Sequence, residues 1–236
     1  MGSGSVSAVI AAAGGGSRMG GNNVKKQFLE LCGAPVLEWS LRAFFISDII
    51  GEVVLVVAAE DAEFCEKNFS RISGGKRFVI VAGGDSRQSS VEAGARASYG
   101  GCEFIAVHDG ARPFVDGYVI TACAEAARRS GAACAAVRVT DTIKRSDGRY
   151  ITDTPDRSGL WAAQTPQTFR RALLLEALDA ARRDGFAATD DVSLVERLGR
   201  RVEIVEGSYD NIKITTPADF AAAQVIAKRR MNKEYT

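Results

Sequence analysis

The residues best suited to chemistry lie in a glycine-rich segment near the start of the chain. It combines three consecutive glycines with three basic side chains, namely Gly14, Gly15, Gly16, Arg18, Lys25 and Lys26. Glycines let backbone amides approach an anion closely, and the basic side chains add positive charge nearby. The segment therefore predicts a polyphosphate-binding loop, and the alternative is a flexible turn whose basic residues are simply solvated.

This loop matches neither of two common nucleotide-binding motifs. A P-loop needs the pattern GxxxxGK followed by Ser or Thr, and that pattern is absent. The dinucleotide motif GxGxxG fails because Met19 stands where the third glycine should be. The phosphates are therefore expected to bind to a different kind of loop.

A second candidate site is the sequence HDGARP at residues 108–113. The carboxylate of Asp109 could hold Mg²⁺, which prefers oxygen ligands and shares them with substrate phosphates. The alternative is a turn aspartate that caps the next element. His108 is the only histidine of the chain, so histidine-based zinc sites and Ser-His-Asp catalysis elsewhere are nearly excluded. We expect His108 itself to be a structural hydrogen-bonding residue.

Two further segments carry weaker signals. The sequence AGGDSRQSSV at residues 82–91 could recognise the edge of a base, or Ser90 could simply cap a helix. In the sequence DNIK, Lys213 stands just before a helical segment. It could pair with a substrate phosphate, although most lysines are solvated.

Short apolar runs alternate with segments of helical spacing along the chain. Strands are predicted at residues 6–11, 53–58, 78–81, 104–107, 133–139 and 202–205. Helices are predicted at residues 36–44, 61–69, 90–99, 118–129, 169–183, 190–198 and 217–230. This alternation predicts a doubly wound α/β fold with a mostly parallel sheet. In such folds ligands bind at the carboxyl ends of the strands, where the candidate residues lie.

The regular alternation breaks at residues 140–167, a long polar segment. Connections of this length inside a compact domain are uncommon and are usually lids, active-site loops or oligomerisation arms. We therefore predict a single domain over residues 1–236, with residues 138–168 as a protruding arm.

Composition excludes several classes of function. Thirty basic and twenty-nine acidic residues give a net charge of +1, so no nucleic-acid partner is expected. No apolar run approaches the roughly 18 residues of a membrane span, so no membrane association is expected. The five cysteines contain no CxxC pair and the first residues, MGSGS, lack a secretory signal. A cytoplasmic protein is the expectation.

The motifs occur together in a recognisable order. The segments AAAGGGSRMG, KKQF, GGDSRQSSV, VHDGARP, TDTIKR, TPQTF, ATDDVSLVE and DNIKITTPADF resemble the 2-C-methyl-D-erythritol 4-phosphate cytidylyltransferase family of the non-mevalonate isoprenoid pathway. The resemblance covers nearly the whole chain. It implies a Rossmann-like, Mg²⁺-dependent nucleotidyltransferase that transfers CMP from CTP to methylerythritol phosphate. The reaction would release pyrophosphate and form 4-diphosphocytidyl-2-C-methyl-D-erythritol.

The resemblance also implies roles for individual residues. Catalytic roles, in stabilising the α-phosphate or orienting the acceptor, fall on Arg18, Lys26, Arg157 and Lys213. Nucleotide binding falls on Ala12, Ala13, Gly14, Gly15, Gly16, Lys26, Gly83, Asp85 and Ser90. Binding of the sugar-alcohol phosphate falls on Asp109, Arg112, Thr142, Arg157, Thr165, Thr189 and Lys213. Asp109 would also be the ligand of Mg²⁺.

Some expectations concern the arm, the loop and the substrate. By the same resemblance Thr142 and Arg157 would reach the site of a neighbouring subunit, which implies a homodimer. Residues 22–25 replace a proline-containing run of the family, and Lys25 could partly substitute for Lys26. Two alternatives stay open: a cytidylyltransferase for another polyol phosphate such as ribitol 5-phosphate, and a catalytically silent nucleotide-binding protein.

Overall fold

The computed structural model describes residues 6–15 and 25–234. Its strands are β1 (Val6–Ala11), β2 (Glu30–Leu31), β3 (Ala34–Pro35), β4 (Ile50–Val57), β5 (Arg77–Ala82), β6 (Phe104–Asp109), β7 (Ala132–Arg138), β8 (Arg145–Ser146), β9 (Ile151–Asp153), β10 (Trp161–Arg170) and β11 (Glu203–Glu206). Its α-helices are α1 (Val36–Phe45), α2 (Ala62–Phe69), α3 (Arg87–Ala97), α4 (Gly117–Ser130), α5 (Arg171–Arg183), α6 (Asp191–Arg197) and α7 (Pro217–Glu234).

Across the described residues, seven strands form one mixed sheet in the order β11-β7-β10-β6-β1-β4-β5. β10 runs antiparallel to both of its neighbours, and the other neighbouring pairs are parallel. The predicted α/β fold with a mostly parallel sheet is therefore confirmed. Every residue of β6 is buried, which explains why the central strands show continuous apolar runs in the sequence.

Helices cover both faces of this sheet because successive side chains of a strand point to opposite sides. On one face, Ala8 and Ile10 pack in a core with α1, α2 and α4. On the other face, Val9 packs in a core with α3, α5 and α6. Helix α3 lies especially close, since a Cβ atom on Gly94 would stand 2.5 Å from Val9 Cγ1. This close approach brings the first turn of α3 to the carboxyl end of β1.

Strand β10 corrects the predicted arm. Residues 138–168 were expected to protrude, but residues 161–168 lie inside the sheet, and Gln164–Phe169 are buried. The sequence hid this strand because its buried part, QTPQTF, is polar and contains Pro166, which cannot donate a backbone hydrogen bond. The register also shifts between Ala163 and Gln167.

The part of the predicted arm outside the sheet is residues 139–160. It carries the short antiparallel hairpin of β8 and β9. Large apolar side chains are exposed there, with Tyr150 61% and Ile151 66% accessible.

Among the described residues, no helix combines the length and the apolar character needed to cross a membrane.

Candidate active site

A cavity of about 570 Å³ lies at the carboxyl ends of β1, β5 and β6. Nine residues predicted to bind nucleotide, phosphate or metal line it together: Ala12, Ala13, Gly14, Gly15, Lys26, Asp85, Ser90, Asp109 and Lys213. Segments far apart in the sequence therefore meet at one edge of the sheet, as the α/β topology requires.

A second cavity of about 160 Å³ adjoins the first. Arg112, Thr165 and Thr189, all predicted to bind the sugar-alcohol phosphate, line it. The two cavities share three charged side chains, those of Arg87, Asp109 and Lys213. The residues predicted for the two substrates are thus separated into neighbouring spaces that meet at a charged junction.

Gln27 holds the described start of the glycine loop, which spans residues 14–26. Its buried amide group donates to the carbonyl oxygen of Ala12 at 2.9 Å and to that of Gly14 at 3.3 Å. The turn Lys26–Phe28 is thereby held against the end of β1. The sequence offered no signal for Gln27 beyond its place next to Lys26.

Lys25 forms ion pairs with two carboxylates away from the cavities. Its Nζ lies 2.6 Å from Glu60 Oε1 and 2.6 Å from Asp61 Oδ2, and Lys25 lines neither cavity. The expectation that it could substitute for Lys26 is wrong, because two carboxylates hold its charge away from the site.

The turn before α3 is held by serine hydroxyl groups. Ser86 caps the helix and accepts a hydrogen bond from the backbone N–H of Ser89, so the cap is Ser86 and not Ser90. Ser90 Oγ accepts from the N–H of Gly84 at 3.2 Å and donates to the carbonyl oxygen of Ser86 at 2.8 Å. Ser90 therefore shapes the turn that borders the larger cavity.

Gly83 lies behind this turn and does not line the cavity, whereas Gly84 does. A Cβ atom on Gly83 would stand 2.5 Å from Ala13 Cβ and 2.7 Å from Ser90 Oγ. Only glycine fits there without displacing a neighbour. Gly83 therefore affects the site by its packing against Ala13 and Ser90.

Asp109 sits at the centre of the charged junction. Its Oδ1 is 3.1 Å from Arg87 Nε, and its Oδ2 is 2.8 Å from Lys213 Nζ and 3.7 Å from Arg112 Nε. Burial opposes ionisation, but the positive charges of Arg87 and Lys213 hold the pKa of this carboxyl well below its usual range. The Asp109 carboxylate thus faces three cations for which an anionic ligand can compete, and one of them, Arg87, is also paired with Asp191.

His108 is fully buried beneath this junction and faces Thr165 and the backbone. The carbonyl oxygen of Arg112, 3.0 Å from Nε2, can only accept, so Nε2 carries the proton. Thr165 Oγ1 then donates to Nδ1 at 3.0 Å and accepts from the N–H of Asp109 at 3.1 Å. The expectation that His108 is structural is confirmed, because both ring nitrogens are used to fix the turn that carries Asp109.

The burial of His108 predicts a pH-dependent stability. Burial lowers its pKa from 6.5 to about 4, so only the unfolded chain takes up this proton as the pH falls through that window. The free energy of unfolding should therefore fall by about 2 kcal/mol between pH 7 and pH 5 from this group. Denaturant titrations of the wild type and His108→Gln at both pH values measure it. If His108→Gln loses as much stability between pH 7 and pH 5 as the wild type does, the pH dependence does not come from His108.

Several predicted site residues are not brought to either cavity. Thr142 and Arg157 are exposed on the arm, where Arg157 Nη1 donates to the carbonyl oxygen of Thr140 at 2.6 Å. Gly16, Arg18 and residues 22–24 lie outside the described residues.

Asp109 is the described side chain best placed to hold a metal ion. The described part of the chain contains no group of three or more His, Cys, Asp or Glu side chains arranged to bind a metal. Mg²⁺ in nucleotide-dependent enzymes needs only one or two carboxylates when substrate phosphates complete its shell. Asp109 in the larger cavity fits that requirement once a substrate phosphate draws Lys213 away from its Oδ2 atom.

The mixed α/β sheet, the glycine loop and the cation-rich cavities at the strand ends define a nucleotidyltransferase-like protein. The chain belongs to the family IspD, 2-C-methyl-D-erythritol 4-phosphate cytidylyltransferase, whose family model matches residues 6–229.

Known proteins resemble the chain over nearly its full length. It is 44% identical to the 2-C-methyl-D-erythritol 4-phosphate cytidylyltransferase of Caldanaerobacter subterraneus subsp. tengcongensis, over 95% of this chain and 99% of that protein. It is 46% identical to the enzyme of the same name from Desulforamulus reducens, over 96% and 97% of the two chains. A crystal structure of 4-diphosphocytidyl-2C-methyl-D-erythritol synthase from Anaerococcus prevotii matches with a TM-score of 0.85 at 31% identity, over 94% and 96% of the chains.

Proposed function

We propose that this protein transfers CMP from CTP to 2-C-methyl-D-erythritol 4-phosphate, releasing pyrophosphate and forming 4-diphosphocytidyl-2-C-methyl-D-erythritol for isoprenoid biosynthesis. The observation that carries the proposal is the pair of adjoining cavities, one lined by the glycine loop and the other by Arg112, Thr165 and Thr189. Their shared junction is where a nucleotide phosphate and an acceptor phosphate would meet. Membership of the family supports the identity of the two substrates.

The reaction forms one phosphorus–oxygen bond and breaks another. An oxygen of the acceptor phosphate attacks the α-phosphorus of CTP, and the bond from that phosphorus to the bridging oxygen breaks as pyrophosphate leaves. The attacking phosphate monoester is largely doubly ionised at neutral pH because its second pKa is about 6. It needs no general base, which agrees with a site whose described residues offer cations and a buried, neutral His108.

The protein's part is to align the two anions and to reduce their repulsion. Lys26 borders the nucleotide side of the junction, Arg112 borders the acceptor side, and Lys213 borders both. An incoming phosphate competes with Asp109 for Lys213, so the lysine can turn from the carboxylate to the substrate.

Mg²⁺ is proposed as the cofactor, with Asp109 as its protein ligand. The ion would neutralise charge on the triphosphate when it is bound. Replacing Asp109 by Asn removes the anionic ligand at nearly constant shape, so the Mg²⁺ concentration for half-maximal rate should rise at least 10-fold. Initial rates over a series of Mg²⁺ concentrations measure this half-maximal concentration. If it is unchanged in Asp109→Asn, other groups must bind the ion.

A homodimer is proposed as the working form, in the cytoplasm. Thr142 and Arg157 lie outside both cavities of their own chain, and the arm that carries them exposes Ile143, Tyr150 and Ile151. An exposed apolar arm that also carries substrate-binding residues is consistent with a subunit contact that completes a partner's site. The free thiols of all five cysteines fit a reducing compartment.

Pyrophosphate release tests the proposed function. Each common nucleoside triphosphate is offered with Mg²⁺ and with either methylerythritol phosphate or ribitol 5-phosphate. The expected result is release only with CTP and methylerythritol phosphate. Release only with ribitol 5-phosphate would show that the proposed acceptor is wrong. No release from any pair would favour a catalytically silent nucleotide-binding protein.

A further inference from the structure

Arg87 occupies the junction between the two cavities and has no role in the scheme above. It is the first residue of α3 and lines both cavities. Its Nε lies 3.1 Å from Asp109 Oδ1, and its Nη2 lies 2.7 Å from Asp191 Oδ2. The guanidinium therefore bridges a carboxylate inside the site and a carboxylate behind it.

Asp191 pairs with Arg87 and does not border either cavity. It is 1% exposed, lines neither cavity, and its Oδ1 has no hydrogen-bond partner among the described residues. Its backbone N–H is held by Gln167 Oε1 at 3.0 Å, which fixes the start of α6 under the junction. A buried carboxylate without a cation is strongly unfavourable, so Asp191 binds its arginine firmly.

This second carboxylate distinguishes Arg87 from Lys213. When a phosphate competes for the cations around Asp109, Lys213 is free to move, but Arg87 remains tied to Asp191. Nη1 of Arg87 makes no hydrogen bond to the described residues, and the side chain, which lines both cavities, is 31% exposed. A planar guanidinium with open donors is well suited to phosphate oxygens.

We propose that Arg87 is a substrate-contacting cation that binds phosphate oxygens where the nucleotide meets the acceptor, and that Asp191 is the positioning residue that holds it there. This inference rests on the proposed function for the identity of the substrates. It assigns a further cation to the same transfer step, at a place where Lys26 borders only the nucleotide side and Arg112 only the acceptor side.

The cleanest test variant removes the arginine and its counter-ion together. Arg87→Met alone would leave Asp191 buried without a cation and could prevent folding. The double variant Arg87→Met/Asp191→Asn avoids that charge. Arg96→Met is the matched control, because Arg96 lies on the same helix and is also paired with two carboxylates, Glu92 and Asp179, outside the site.

The double variant should lose about 10²-fold in kcat/KM for CTP and for methylerythritol phosphate alike, with a thermal midpoint close to that of the wild type. Arg96→Met should keep wild-type kinetics. Asp191→Asn alone keeps the guanidinium but releases it towards Asp109, so it should give a smaller loss than the double variant.

Binding of CTP without metal and without acceptor gives a readout independent of turnover. Calorimetric titration in EDTA should show about 10-fold weaker binding to the double variant than to the wild type. A folded double variant with wild-type kinetics and wild-type CTP affinity would overturn the inference. If the wild type forms no product from CTP and methylerythritol phosphate, the proposed function fails separately, and the CTP titration alone decides the role of Arg87.

Discussion

Lys213→Ala is expected to lower turnover by about 10²–10³-fold while the protein stays folded. Lys213 Nζ is 2.8 Å from Asp109 Oδ2, and the side chain is 37% exposed at the junction of the two cavities. Its removal takes positive charge from between two anions that must approach each other. Because Arg87 and Arg112 still face Asp109, the fold should not be left with an uncompensated carboxylate.

The measurement is pyrophosphate release at saturating substrates, together with a thermal unfolding curve. Lys67→Ala is the control, since Lys67 is an exposed lysine on α2. We expect the loss to fall mainly on kcat, because the interaction strengthens as charge develops on the transferring phosphorus. Near-normal turnover in a folded Lys213→Ala protein would remove this residue from the mechanism. The same loss is predicted for Lys26→Ala, and for Arg18→Ala in the undescribed part of the loop.

Mixing two inactive variants should restore activity if the arm acts in the partner's site. In a dimer of one Lys213→Ala chain and one Arg157→Ala chain, one site receives both defects and the other receives neither. Random reassociation of equal amounts should therefore give about a quarter of the wild-type turnover, although each variant alone is expected to be nearly inactive.

The position of Arg157 in the fold makes this test decisive. Its side chain lies on the exposed arm, outside both cavities of its own chain. If Arg157 acted within its own chain, every site of the mixed dimer would carry one defect and no activity would return. Thermal unfolding curves of both variants, with wild-type protein carried through the same mixing procedure, show that each chain survives the exchange.

The fold could be predicted from the sequence where burial alone decides the structure. β1 and β6 are apolar over most of their length, and the structure begins both where the sequence predicts. Pro217 begins α7, in agreement with the preference of proline for a first helical turn. β10 was missed because its place between β6 and β7 depends on long-range pairing and not on its own apolar content.

The site could also be predicted only in part. The positions of the candidate residues after predicted strands, together with the family resemblance, indicated which segments converge, and the cavities contain most of the predicted residues that the structure describes. Arg87 was missed because its partners, Asp109 and Asp191, are 22 and 104 residues away in the chain. Lys25 was misjudged because Glu60 and Asp61, which hold it, come from a distant turn. Charge alone shows that a side chain can bind a phosphate, and its partners determine whether it faces one.

The most direct test of the proposed transfer reaction is the identity of the product. The protein is incubated with CTP, methylerythritol phosphate and Mg²⁺, and the mixture is followed by phosphorus NMR and mass spectrometry. We expect coupled signals of a diphosphate diester, with the mass of 4-diphosphocytidyl-2-C-methyl-D-erythritol, to appear together with pyrophosphate. Consumption of CTP without this diester, or no change in either substrate, would contradict the proposed transfer.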